Sequence, residues 1–261
     1  MPQTRAGEPT PGRLSRPDGN AVAYVRSAGA QPGVIFCGGF MSDMTGTKAM
    51  ALEQFCRARG HGYVRFDYLG HGQSTGRFAD GTIGRWAGDA VAVIDEVAQG
   101  PQVLVGSSMG GWIMLLAALA RPERIHGLVG VAPAPDFTAR MVAEDFNEAQ
   151  RAALARDGQV EITSDYDTRP YVITQALIDD GNENLLLGGA IDLSCPVRLL
   201  HGMKDDAVPW QTSMKIMDAL AGADVTATLV KNGDHRLSEP DDIERLWAAV
   251  GELLDRRDDA G

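Results

Sequence analysis

The run Gly106-Ser107-Ser108-Met109-Gly110 constrains this chain more than any other stretch, because of its flanks. Before it, Gln102-Val103-Leu104-Val105 is a short apolar run preceded by Gly100-Pro101, the pattern of a buried strand. After it, Gly111 to Ala120 is apolar nearly all round, the pattern of a buried helix. A strand, a one-residue pivot and a helix turn G-x-S-x-G into a nucleophile elbow, which lifts a hydroxyl clear of the backbone. So sharp a turn crowds the positions two before and two after the pivot. With Ser108 as pivot these are Gly106 and Gly110. With Ser107 they would be Val105 and Met109, both too large, so Ser108 is the residue the pattern selects.

Strand-like and helix-like stretches alternate on both sides of the elbow. Residues 13–16 and 21–25 flank the turn Pro17-Asp18-Gly19 and predict an N-terminal hairpin, with 1–13 a flexible lead-in. Val34-Ile35-Phe36-Cys37 is a buried strand running into Gly38-Gly39, and 47–59 is an amphipathic helix stopped by Gly60. Tyr63-Val64-Arg65-Phe66 is the next strand and 82–98 the next helix; the strand 127–131 follows the elbow unit. The alternation lapses from Pro135 to Ser194, where the chain is polar, acidic and helical in pattern. It resumes with strands at 197–200 and 225–230, followed by helices near 210–221 and 241–254. Repeated strand–helix units predict an α/β fold, a mostly parallel sheet with helices on both faces and ligands beyond the carboxyl ends of its strands. On this reading 14–134 and 195–261 make the core and 135–194 an inserted helical cap. The cap's acidic residues (Asp136, Glu144, Asp145, Glu148, Asp165, Asp167, Asp179, Asp180) then form a solvated face.

Charge narrows the partners. A formal net charge of −11 opposes binding to nucleic acid or to an anionic membrane, since both select basic patches. No apolar run approaches the ~20 residues that span a bilayer. Met1 to Arg16 is polar and lacks a secretory-type apolar core, and Cys37, Cys56 and Cys195 are odd in number, widely spaced and set among apolar residues. Reduced core cysteines in an acidic globular chain predict a cytoplasmic protein. The sequence has no His-Glu-x-x-His, no Cys-x-x-Cys pair, no Gly-Lys-Ser phosphate loop and no strand–helix G-x-G-x-x-G, so neither a metal nor a nucleotide cofactor is expected.

A serine hydroxyl attacks only when a base takes its proton and an acid orients that base. On an elbow of this kind the acid and then the base follow the serine along the chain, each just past a strand's carboxyl end. After the strand 225–230 comes Asn232-Gly233-Asp234-His235, and His235 is the only histidine beyond the last strand. After the strand 197–200 comes His201-Gly202-Met203-Lys204-Asp205-Asp206-Ala207-Val208-Pro209. Asp205 holds the fourth position of Gly-x-x-Asp-x-x-Val-Pro, where the loop leaves the strand; Asp206 then points to solvent. Asp234 adjoins His235 in sequence, which denies it the far side of that ring. A tetrahedral oxyanion needs N–H donors, and two backbone groups are placed to supply them. One is Met109, heading the helix after the nucleophile; the other is Phe40, in the Gly38-Gly39-Phe40 turn. His61 and His126 read as structural, His201 as packing or hydrogen-bonding locally, and His71 as a loop residue close enough to border the site. Met109, Trp112 and Trp210 are candidates for the pocket lining, with core packing the better reading of Trp112.

With these loops placed, the chain resembles the α/β-hydrolases. Among them it is similar to the acyl-protein thioesterase and acyl-glucuronide esterase branch whose animal member is mitochondrial, as a relative of bacterial type. The likeness is carried by Gly46-Thr47-Lys48-Ala49, by Arg65-Phe66-Asp67-Tyr68 with Gly70 and Gly72, and by Gly106 to Trp112. It continues in Ala120-Arg121-Pro122-Glu123, in Arg198 to Asp206 with Val208-Pro209-Trp210, and in Asp234-His235-Arg236. It fades through the cap. Gly38-Gly39-Phe40 departs from the Pro-Gly-aromatic expected there, and a backbone donor survives that change. The resemblance implies Ser108, Asp205 and His235 as a triad, in agreement with the residues' own placement, and cleavage of carboxylic esters or thioesters. The expectation is a serine hydrolase that turns over a small-molecule acyl ester or thioester through an acyl-serine intermediate. The alternatives are a serine peptidase on the same fold and a hydrolase-like scaffold that binds without turnover.

Overall fold

The computed structural model describes residues 6–162 and 170–256. β1 (Thr10–Ser15) and β2 (Ala21–Ser27) form the N-terminal hairpin, and Pro11 and Gly12 already pair with Val25 and Tyr24. Part of the stretch expected to be flexible is therefore edge strand. Pro and Gly carry no strand signal, yet an edge tolerates both, because only one of its sides must donate to the ladder. The chain continues through β3 (Ala30–Cys37), α1 (Thr47–Arg59), β4 (His61–Phe66), α2 (Ile83–Ala92), β5 (Gln102–Ser107), α3 (Met109–Ala120) and β6 (Ile125–Val131). Then come α4 (Phe137–Arg140), α5 (Glu148–Asp157), β7 (Gln159–Ile162), β8 (Tyr171–Thr174) and α6 (Gln175–Glu183). β9 (Val197–Gly202), α7 (Gln211–Ala219), β10 (Val225–Val230) and α8 (Pro240–Asp255) complete it.

One sheet of eight strands has the order β1-β2-β4-β3-β5-β6-β9-β10. The pairs β1/β2 and β2/β4 are antiparallel and every pair from β4 to β10 is parallel. Strand alternation divides the core. Val34, Phe36, Val103 and Val105 face α1 and α8, through Leu52, Cys56, Leu246 and Val250. Ile35, Cys37 and Leu104 face the other way, onto α2 and α3, through Trp86, Trp112 and Ile113. Both faces are covered, which is why these strands read as continuous apolar runs. Parallel strands end on one side, so the chain emerges together after β3, β5, β9 and β10. Those four exits carry Phe40, Ser108, Asp205 and His235.

A buried carboxylate fastens two of the loops on that side. Asp67, just past β4, accepts from the Met44 N–H at 2.7 Å and from the Gln73 N–H at 2.7 Å. Burial pushes its pKa up, and those two N–H groups oppose the rise. A Cβ at Gly72 would lie 2.2 Å from Asp67 Oδ2, so the loop closes on the carboxylate only with glycine there. Arg65, in a buried pair with Glu53 at 2.8 Å, also donates to the Met44 carbonyl at 3.1 Å.

The segment from 135 to 194 is not helical throughout. β7 and β8 pair antiparallel, Val160 opposite Ile173, as a separate two-stranded sheet. Each strand is four residues long, too short for period-two alternation to stand out from a helical pattern. Nor are its acidic residues only a solvated face. Asp136 accepts from the N–H groups of Leu186 and Leu187, both at 2.8 Å, and Asp180 accepts from the Gly84 N–H in the first turn of α2 at 2.6 Å. Asp165 and Asp167 lie outside the described residues.

The closest backbone approach in the sheet–helix interface is testable. A Cβ on Gly110 would sit 2.1 Å from the Cys37 carbonyl oxygen, whereas one on Gly188 would meet nothing within 4 Å. Gly110→Ala is expected to cost about 3 kcal/mol or more, or to leave no soluble protein. Gly188→Ala is expected to melt with the wild type in thermal denaturation.

Candidate active site

β5 ends at Ser107 and α3 begins at Met109, so Ser108 alone turns the chain from strand to helix. Its φ of 55° and ψ of −121° fall where a residue with a Cβ is strained, at a cost of order 1–3 kcal/mol. Neighbours hold it there. The Ser108 N–H donates to the Val131 carbonyl at 3.0 Å, and its own carbonyl accepts from Gly111 at 2.8 Å and Ala134 at 3.0 Å. A Cβ on Gly106 would lie 2.4 Å from the Gly110 carbonyl oxygen. The crowding two residues either side of the pivot is the crowding that the sequence pattern required.

His235 stands in the loop after β10, with Nε2 3.1 Å from Ser108 Oγ and Nδ1 2.8 Å from Asp205 Oδ2. A carboxylate only accepts, so Nδ1 carries the hydrogen and Nε2 offers its lone pair to the serine hydroxyl. The Asp205 side chain is wholly buried. Its Oδ1 accepts from the Ala207 and Val208 N–H groups at 2.9 and 2.8 Å, and its Oδ2 accepts from His235 and from His201 Nε2, the latter at 3.1 Å. Burial by itself would push this carboxyl up. The hydrogen bonds from His201 and His235, with the backbone donors, outweigh it and hold the group well below the usual carboxylate range. Asp234 instead accepts from the Leu237 N–H at 2.9 Å, which folds the His235 loop.

The two backbone groups expected to face an oxyanion, those of Phe40 and Met109, belong to segments beside the serine. Met109 is the first residue of α3, where a helix N–H has no intrahelical partner and the dipole is positive. Phe40 lies in the turn after β3; a Cβ on its neighbour Gly39 would stand 3.3 Å from the Ser107 carbonyl oxygen and 3.5 Å from Ser108 Cβ. Ser42 Oγ donates to the Gly39 carbonyl at 2.8 Å and closes that turn. The Phe40 ring meets Phe78, Trp86, Phe137 and Tyr171 edge-on, with centroids 4.9 to 6.0 Å away. It is thereby wedged between the sheet's helices and the 135–194 segment.

A cavity of about 680 Å³ opens over Ser108 and His235. Met41, Phe137, Met141, Phe146, Ile162 and Tyr171 make an apolar wall, and Asp43, Lys48, Arg140, Asp145, Asp206 and Arg236 a charged rim. Met109 lines it, as the sequence suggested. Trp112 is buried, donating from Nε1 to the Asn184 carbonyl at 3.0 Å, and Trp210 precedes α7 without reaching the cavity. His71 does not border it either. That ring is enclosed by Tyr68, Phe78 and Trp86, and burial brings its pKa down to about 4. His61 bonds the Pro32 carbonyl and His126 the Leu253 carbonyl.

Three contributors escaped the sequence reading. His201 bonds locally, as expected, but to the Asp205 carboxylate itself. Arg140 donates from the 135–194 segment to the Ala207 carbonyl at 2.7 Å, steadying the Asp205 loop from outside the sheet. Lys48 donates to the Arg236 carbonyl and, at 3.3 Å, to Ser238 Oγ, tying the first turn of α1 to the His235 loop. The first left a trace in its four-residue spacing to Asp205, and Lys48 lies in the Gly46-Thr47-Lys48-Ala49 run that carries the resemblance; Arg140 left none. Among the described residues no group of His, Cys, Asp or Glu could hold a metal ion, and no helix is long and apolar enough to cross a membrane.

The comparisons agree with this architecture. The sequence model of a hydrolase family described as serine aminopeptidase, S33, matches residues 30–168. Palmitoyl-protein thioesterase ABHD10, mitochondrial, of Bos taurus is 44% identical over 247 residues, covering 93% of this chain and 79% of that one. A putative hydrolase from Agrobacterium vitis superposes with a TM-score of 0.90 at 41% identity, covering 95% of this chain and 99% of that one. Mouse alpha/beta hydrolase domain-containing protein 10 does so with a TM-score of 0.87 at 41% identity, over 94% and 98%. The chain belongs to the α/β-hydrolase family, and it is an enzyme of the hydrolase class. One expectation is overturned: the bovine, mouse and human relatives are mitochondrial proteins, which contradicts the cytoplasmic location expected from composition. The composition and cysteine count of a globular domain carry no address, because a receptor reads a short targeting segment.

Lys48 offers a pH test. Burial and the neighbouring Arg236 bring its ammonium down from 10.5 to about 8, against the attraction of Asp234 and Asp242. The unfolded chain keeps that proton up to 10.5, so between about 8 and 10.5 it binds more protons than the folded one, and this site's contribution to stability rises with pH. The melting temperature of the wild type relative to Lys48→Met is expected to climb from pH 8 to 10. A constant difference would contradict the assignment.

Proposed function

We propose that the protein hydrolyses acyl thioesters and esters through an acyl-Ser108 intermediate, with Ser108, His235 and Asp205 as nucleophile, base and orienting acid. The observation that carries this is the continuous line Ser108 Oγ, His235 Nε2, His235 Nδ1, Asp205 Oδ2, with contacts of 3.1 and 2.8 Å, under the cavity. His235 takes the serine proton as Oγ attacks the acyl carbon, and Asp205 stabilises the imidazolium that forms. The carbonyl oxygen becomes an oxyanion facing the Phe40 and Met109 N–H groups. His235 returns the proton to the leaving thiol or alcohol, and a water then enters with His235 again as base.

The apolar wall takes the acyl chain and the charged rim faces the leaving group. The segment 135–194 acts as a cap, supplying Phe137, Met141, Phe146, Ile162 and Tyr171 to that wall, while 14–134 and 195–261 form the catalytic core. The bovine relative is named for palmitoyl-protein thioesters, and a cavity of about 680 Å³ with this lining suits a long saturated chain. The matched family description names an aminopeptidase, so amide substrates belong in the test.

The test is initial rates on p-nitrophenyl esters from acetyl to palmitoyl, on a palmitoyl thioester and on amino-acid p-nitroanilides, with wild type beside Ser108→Ala. Ester and thioester turnover is expected to fall at least ~10³-fold in the variant. A fluorophosphonate probe is expected to label wild type on the Ser108 peptide. Turnover of p-nitroanilides alone would replace the esterase reading with a peptidase, and no turnover with no labelling would refute both.

A further inference from the structure

We infer that His201, backed by Ser213, is a positioning residue for the reaction, fixing the plane and the charge of the Asp205 carboxylate on which His235 leans. The inference rests on the triad reading above and adds two residues to it.

His201 is the fifth residue of β9, wholly buried, and its ring reaches forward to the loop that carries Asp205. Its Nε2 lies 3.1 Å from Asp205 Oδ2 and 3.0 Å from the Val208 carbonyl oxygen. Both neighbours are acceptors, so Nε2 carries the hydrogen and shares it between them. Nδ1 is then left with a lone pair, and the buried Ser213 hydroxyl, 2.7 Å away on α7, donates to it. The tautomer is thus set from both sides. The line runs from Ser213 through His201, Asp205 and His235 to Ser108.

The Asp205 carboxylate shows what this does. Oδ1 is held by two backbone N–H groups of its own loop, and those alone would leave the group free to hinge about Oδ1. Oδ2 takes one N–H from His201 and one from His235. The His201 bond removes that hinge and leaves one direction on Oδ2 for His235. It also draws charge from Oδ2, so His235 faces a weaker base than a carboxylate with no second donor. The other ionisable groups around the cavity at His235 are Asp206 on the acid loop, Asp234 and Arg236 on its own loop, Asp43 and Lys48 between β3 and β4, and Arg140 and Asp145 in the 135–194 segment. A substitution at 201 leaves all of them in place.

A satisfied core histidine would show the same burial, and the two roles separate in pH dependence. In His201→Leu the acid limb of kcat/KM is expected to move up by about half a unit or more, since Oδ2 then gives all its charge to His235. kcat is expected to fall about 10- to 100-fold with KM little changed, because the carboxylate and the ring it aims lose their alignment. His201→Gln, which keeps an N–H donor, is expected to recover most of kcat and the wild-type limb. Ser213→Ala moves both in the direction of His201→Leu by less, and serves if the Leu variant does not fold. The assay is steady-state ester hydrolysis from pH 5 to 9, with thermal melts to show each variant folded. A folded His201→Leu with the limb and kcat of wild type, a Gln variant as impaired as Leu, or Ser213→Ala with nothing moved when Leu fails to fold, would overturn the inference. Failure of the triad reading looks different: Ser108→Ala would then keep its activity whatever stands at 201.

Discussion

At the elbow the first turn of α3 lies on the exits of β3 and β5 with no side chain between, because Gly106 and Gly110 have no Cβ. The Gly110 Cα faces the Cys37 carbonyl oxygen at a distance that a methyl group could not share. At that contact Ser108 adopts a strained positive-φ conformation, and three backbone hydrogen bonds to and from Ser108 hold it there. The strain is local and its consequences are not. It aims a hydroxyl out of the sheet at His235, places the Met109 N–H at a helix terminus, and presses the Gly39 turn against Ser108. A looser contact would relax the serine to ordinary geometry and disperse the three groups.

Around this fixed point the other loops are held by charge and hydrogen bonds as well as by apolar packing. Asp67 gathers the loops after β3 and β4, with Arg65 on the Met44 carbonyl from the other side. Asp205 is held by four donors and Asp234 by the turn it closes. Loops at the carboxyl edge of a parallel sheet carry many unpaired backbone groups, and a buried carboxylate satisfies two or more at once in a defined direction. The acidic composition of the chain is spent partly in this way. Asp136 and Asp180 do the same within the 135–194 segment, where their sequence context suggested only solvation.

That segment shows where reading a sequence loses force. In the core, long apolar runs and glycine stops made the strands and helices legible; α1 ends at Arg59, with Gly60 in the left-handed conformation that stops it. Between β6 and β9 the elements are short, and β7 and β8 carry four residues each, too few for either periodicity to declare itself. Residues that act across long separations were equally hidden. Arg140 meets Ala207 and Lys48 meets the Arg236–Ser238 loop across 67 and nearly 190 positions, and nothing local marks such pairs. His71 shows the converse, a loop histidine whose ring is enclosed in an aromatic cage and does not line the cavity.

By itself the sequence determined the parallel α/β order and the pivot at Ser108, and it singled out Asp205, His235, Phe40 and Met109 as the candidates at the strand exits. It could do so because steric limits at a sharp turn and the exits of parallel strands are local properties, written in a few adjacent residues. The tertiary structure alone decided that one carboxylate oxygen is shared by His201 and His235, that Phe40 is wedged between the sheet's helices and the 135–194 segment, and which side chains enclose the cavity. Those outcomes depend on directions and distances between segments far apart in the chain, and such geometry exists only once the core has packed.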